Sequence, residues 1–159
     1  MMGELMRYLY AQLPVLIASI VGTVGFGMLF KMRGKHLIYI SIFGFLSYAV
    51  YLAVLFLGYS ELIAAFASAA TIALLSEIFA RVFKAPTVIF TIVGIVSIVP
   101  GSSLYYSMRN LLLRDLDGFF ASLKSACTIT AGIVFGIVAI SALMKLLTSF
   151  KRKNAKETE

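Results

Sequence analysis

The chain has little of what a chemical site usually needs. In 159 residues there is one cysteine and one histidine. One thiol cannot close an intrachain disulfide. Cys127 lies inside an apolar stretch, reads as a small packing residue and says almost nothing of redox compartment. The same scarcity argues against a metal centre or a thiol enzyme. No paired-histidine metal spacing, GxxxxGK[ST] phosphate loop, GxSxG elbow or Ser/His/Asp set occurs. The chain therefore reads as no enzyme, with no cofactor and no metal. Charge is scarce as well. Asp, Glu, Lys and Arg make up 13% of the residues, where a soluble domain carries about 25%.

What is present is apolar. Hydrophobic residues make up 61%, against about 45–50% in soluble proteins. A bilayer-spanning helix needs roughly 20 apolar residues, so five would take about two thirds of this length. That leaves no room for a soluble catalytic head, and the length fits one domain. The expected fold is all-α: an integral membrane bundle of five transmembrane helices over 8–30, 37–57, 62–83, 88–113 and 119–147, with 1–150 as one transmembrane domain. The basic tail, 151–159, is expected to be disordered and cytoplasmic. Met1 to Phe30 makes a poor cleavable signal, its apolar run being too long, so it reads as a retained first span.

The net charge of +7 does not point to nucleic acid, because the charges sit at span ends and in the tail. If the first connection is cytoplasmic, Lys31, Arg33, Lys35, Arg81, Lys84, Lys145, Lys151, Arg152, Lys153 and Lys156 are inside. Only Arg7, Arg109, Arg114 and Lys124 are then outside. Ten against four gives a cell-membrane protein with its N-terminus outside and its C-terminus cytoplasmic. His36, among the basic residues of that first connection, reads as a membrane-surface residue.

Small residues mark candidate helix contacts. Gly22, Gly25 and Gly27 in the first span would admit a neighbouring backbone. Ser60 is a candidate N-cap for the third helix. In that helix Ala65, Ala69, Ala73, Glu77 and Arg81 form one stripe. In the last span Gly132 and Gly136 make a GxxxG step suited to close packing.

The fourth span is interrupted by Pro100-Gly101-Ser102-Ser103, with Tyr105 and Tyr106 just beyond. Pro100 has no N–H to give the carbonyl of Val96. The stretch 88–99 alone, near 18 Å long, is too short to cross a core of about 30 Å. A re-entrant loop would put the basic tail outside, so a broken but spanning helix is preferred. The bland reading of the break is a packing kink. The functional one is a substrate site made by Pro100, Gly101, Ser102, Ser103, Tyr105 and Tyr106. There the second half-helix would turn its N–H groups to an anionic ligand group, and freed carbonyls near Val96 and Val99 would meet an ammonium. Tyr105 and Tyr106 could equally anchor an interface. Glu77 pairs with Arg81 at i,i+4, either as a structural charge pair or with Glu77 as a coupling carboxylate.

The run Leu75-Ser76-Glu77, Ala80-Arg81, Lys84-Ala85-Pro86-Thr87-Val88-Ile89-Phe90, Gly94-Ile95, Ile98-Val99-Pro100-Gly101-Ser102 and Tyr105 resembles the threonine/serine exporter family. More narrowly it is similar to the small five-span subunit, equivalent to the C-terminal membrane half of the fused exporters. The resemblance covers about Leu9 to Leu147. Glu77, Arg81, Pro86, Pro100 and Gly101 match family blocks, whereas members often carry a further glycine where this chain has Ser102 or Ser103. It implies a larger five-span membrane subunit as partner and a two-component secondary exporter of small amino acids, threonine or serine. The alternatives are a subunit of a small dicarboxylate (succinate-like) exporter, a homo-oligomeric carrier, and a non-transporting membrane scaffold or assembly protein.

Overall fold

The computed structural model describes residues 2–32 and 34–157. Arg33 of the first connection and the last two tail residues lie outside the described residues. So do the side chains of Arg7, Lys35, His36 and the chain from 150 onward. The order is α1 (Met2–Leu29), α2 (Lys35–Phe56), α3 (Glu61–Phe83), α4 (Thr87–Ile95), a 3-10 turn (Val96–Ile98), α5 (Gly101–Leu112) and α6 (Leu116–Glu157). The fold is all-helical. The apolar stretches of α1, α2, α3 and α6 are each long enough to cross a membrane, and the pair α4–α5, bent by 52°, counts as a fifth if it is one span.

Helix ends follow local chemistry. Lys84 takes a left-handed conformation (φ 52°) after α3, and the N–H of Ala85 reaches back to the carbonyl of Ala80 at 3.1 Å. Pro86 then cannot continue that helix. Arg114 (φ 59°) ends α5 in the same way, with Asp115 N–H on the Asn110 carbonyl at 2.9 Å. Asp115 in turn accepts the Gly118 N–H at 3.0 Å and starts α6. Ser60 does not act as expected. Its backbone is extended, but its side chain makes no capping bond, and only its carbonyl joins the helix, accepting from Ala64 at 3.0 Å. α6 runs from Leu116 through Glu157. The sequence past 147 has no Pro or Gly to stop a helix.

α3 is the central helix because its buried face is small: Ala64, Ala65, Ser68, Ala69, Ile72, Ala73, Ser76 and Ala80. One apolar cluster joins α2, α3 and α4 through Ile40, Phe43, Ile72, Ala80, Phe90 and Val93. A second joins α3, the 3-10 turn and α6 through Ala65, Ala69, Ile98, Ile129 and Ile133. α1 packs on α2 and α5 on α6. In α1, the expected close approach fails at Gly22 and Gly25, where a Cβ would meet nothing within 4 Å. The tight glycine on that contact is Gly44 of α2, whose added Cβ would run into Thr23 and lie 2.9 Å from the Ser19 carbonyl.

The register of α3 against α6 decides how the broken segment is routed. A Cβ on Gly132 would lie 2.5 Å from the Leu62 carbonyl and 2.8 Å from Ala65 Cβ. On Gly136 it would lie 2.7 Å from the Phe66 carbonyl and 3.0 Å from Ala69 Cβ. One turn forward on α6 is one turn forward on α3, so the two helices run parallel. The chain between them must come back across the bundle. α4 does so antiparallel to α3, with Phe90 beside Phe83 and Gly94 against Ile72. A re-entrant loop would instead deliver α6 antiparallel to α3.

Candidate functional site

Pro100 is buried at the centre of a three-residue turn (φ −75°, ψ 53°). The Gly101 N–H donates to the Val99 carbonyl at 2.7 Å, which is the inverse γ-turn geometry. The Leu104 N–H then donates to the Pro100 carbonyl at 3.0 Å and opens α5. The Val99 carbonyl, expected to be free for a ligand, thus already accepts one hydrogen bond. Gly101 has no positive φ, and a Cβ there would meet nothing within 4 Å. The chain's own packing does not demand glycine at this point.

The break lies nearer the start of α3 than its end. Ile98 packs with Ala65 and Ala69, one to two turns from the start of α3. Just past the turn, Ser103 Oγ is 3.5 Å from Ser125 Oγ, and Ser125 donates to Glu61 Oε2 at 2.7 Å. Ser103 is therefore level with the first residue of α3. The α6 stretch from Leu116 to Lys124 extends about 13 Å past that level, with α5 alongside it. α4 and the 3-10 turn rise about 20 Å together, a little over half the length of the 23-residue α3.

Helical spacing then divides the six residues expected at the substrate site. Pro100 is buried, Ser103 half-buried and Ser107 buried on the side toward α6, and Ser107 donates to the Ser103 carbonyl at 2.8 Å. Ser102, Tyr105, Tyr106 and Arg109 stand at i, i+3, i+4 and i+7, form one stripe and are exposed. The two tyrosines meet edge to face at 5.5 Å, and Tyr105 keeps 65% of its surface exposed. Gly101 is exposed beside them. Four of the six, Gly101, Ser102, Tyr105 and Tyr106, therefore look away from the chain's own core. Arg109 belongs to the stripe too, although its sequence context marks it only as one of the four outside charges. Its i+7 spacing from Ser102 was the available signal.

On the inner side of the break lies a cluster the sequence did not disclose. Ser97 of the 3-10 turn meets Thr23 Oγ1 at 2.8 Å and the Ser19 carbonyl at 3.3 Å. Thr23 is 2.6 Å from that same carbonyl, and Ser19 Oγ donates to the Leu16 carbonyl at 2.7 Å. Ser68 donates to the Ser47 carbonyl at 2.6 Å nearby in the bundle. Single hydroxyls in apolar helices carry no signal until the helices are paired.

Two open cavities flank α6. One, about 430 Å³, is apolar and lined by Leu104, Leu123, Ala126, Cys127, Thr130, Ala131, Val134 and Phe135. Cys127 is exposed in it, not packed as expected. The other, about 350 Å³, lies at the opposite end against Glu77 and Arg81, whose side chains pair at 3.7 Å.

The family model described as Threonine/Serine exporter, ThrE, matches residues 15–143, a stretch that holds Glu77, Arg81, the whole break and the Gly132–Gly136 contact. No curated protein and no solved structure matches the chain at a significant level. With most of its length matched, the chain belongs to the threonine/serine exporter family.

Proposed function

We propose that this chain is one subunit of a two-component secondary exporter of threonine or serine, completed by a larger membrane subunit. One observation carries the reading: Gly101, Ser102, Tyr105, Tyr106 and Arg109 present backbone, hydroxyls and a cation on an uncovered face of α5. The chain's own helices leave that face open, and a second subunit laid on it would close a pathway beside these groups. A substrate carboxylate would meet the Ser102 and Ser103 N–H groups of α5 and the Ser102 hydroxyl. The plasma membrane is the proposed location. The ten-to-four charge bias favours an outside N-terminus and a cytoplasmic C-terminus, which puts the break toward the outside.

The test is efflux of threonine and serine from cells loaded with a threonine- or serine-containing dipeptide. The chain is expressed alone, with a larger five-span subunit of the same family, and with Ser102→Ala plus Ser103→Ala in the pair. Efflux that needs both chains and falls in the double variant is the expected result. Efflux by the chain alone would replace the pair by a homo-oligomeric carrier. Succinate efflux without threonine efflux would move the substrate to dicarboxylates. No efflux of any of them would leave a scaffold.

A further inference from the structure

The cavity at the basic end of the bundle has a charge pattern that the break lacks. Glu77 and Arg81 of α3 form one wall, and Met144, Lys145, Thr148 and Ser149 of α6 the other. The register that sets Gly132 and Gly136 against α3 builds it, because the same four-residue steps bring Met144 beside Glu77 and Thr148 beside Arg81. The closest Glu77–Arg81 approach, 3.7 Å, is longer than a hydrogen bond, so both groups keep bonding capacity. Lys145 makes no ion pair among the described residues. Thr148 Oγ1 donates to the Met144 carbonyl at 2.8 Å, which leaves its lone pairs open to a ligand hydroxyl.

We infer that this cavity binds a free hydroxy-amino acid as its zwitterion, with the carboxylate on Arg81 and Lys145 and the ammonium on Glu77. The substrate class rests on the exporter reading above; the place does not. Two cations and one carboxylate match a ligand that carries both signs. A dicarboxylate would set its second carboxylate against Glu77, and like charges at that distance repel. The cavity stands at the far end of the α4–α5 crossing from the break. In an exporter it is the loading site, and Glu77 acts there as a ligand rather than only as a structural partner of Arg81.

The experiment titrates the full chain in lipid nanodiscs with radiolabelled L-threonine, and with unlabelled succinate, L-threonine amide and N-acetyl-L-threonine as competitors. The expected result is saturable threonine binding, with both threonine derivatives and succinate competing poorly. Arg81→Ala and Lys145→Ala each weaken threonine by about tenfold or more, the loss of one charge-assisted contact. Glu77→Gln weakens threonine similarly and improves competition by N-acetyl-L-threonine and succinate. Lys124→Ala, a cation removed at the other end, changes nothing. Should Arg81→Ala fail to fold, Arg81→Lys keeps the charge, loses the planar fork and still weakens binding. Unchanged threonine affinity in the Glu77, Arg81 and Lys145 variants, or no saturable binding, overturns the inference. Binding lost in these variants from a protein that exports nothing keeps the site and refutes the exporter. Efflux that persists with unaltered half-saturation in the variants refutes the site and keeps the exporter.

Discussion

Replacing Gly132 by alanine should loosen the α3–α6 contact that fixes the whole topology. The added Cβ would lie 2.5 Å from the Leu62 carbonyl, 2.8 Å from Ala65 Cβ and 3.1 Å from the Phe66 nitrogen. Two of these three atoms are backbone and cannot swing aside. Restoring ordinary contact at about 3.4 Å therefore requires the helices to part by roughly 1 Å, which forfeits about a quarter to a half of each affected dispersion contact. Overpacking of this kind costs about 1–3 kcal/mol. The matched control is Gly22→Ala, where a Cβ meets nothing within 4 Å and helix propensity favours alanine by about 1 kcal/mol. Thermal unfolding of purified protein in detergent, followed by intrinsic tyrosine fluorescence or helicity, should show the two variants moving in opposite directions. At about 2–4 °C per kcal/mol for a chain of this size, Gly132→Ala falls by several degrees and Gly22→Ala rises by a few. A Gly132→Ala midpoint at or above the parent's would refute the parallel glycine contact.

Three further outcomes follow from the same structure. Gly44→Ala pushes a methyl into Thr23 and toward the Ser19 carbonyl, so it should cost about 1–3 kcal/mol in the same melting assay. Thr23→Val keeps the shape but removes the 2.8 Å bond to Ser97. It should cost about 1–2 kcal/mol, and hydrogen exchange at the 3-10 turn should speed up while that of α6 stays put. Lys84→Gly relieves a left-handed lysine at the end of α3 and should raise stability by about 1 kcal/mol. An unchanged or lower midpoint there would mean that Lys84 makes a compensating contact.

The sequence by itself determined the class, the number of crossings and the position of the break along the chain. Those are local properties. Hydrophobic runs must match the bilayer thickness wherever they fold, and Pro100 lacks its N–H in any fold. Charge at span ends likewise expresses a preference that each connection carries alone. The family was legible for the same reason, since its blocks around Glu77, Pro86 and Pro100 are linear. Tertiary structure decided everything that needs two helices at once. It put the break level with the first turns of α3, because depth depends on how far α4 climbs along its neighbour. It turned Ser102, Tyr105 and Tyr106 outward and Ser103 toward α6, because successive side chains diverge by about 100° and only packing says which side is inside. It left Gly22 and Gly25 unused while pressing Gly44, Gly132 and Gly136 against neighbouring helices. It also joined Ser19, Thr23 and Ser97 across separations of 74 and 78 residues. A hydroxyl or a glycine has no direction in a sequence; it acquires one only when a second helix is laid against it.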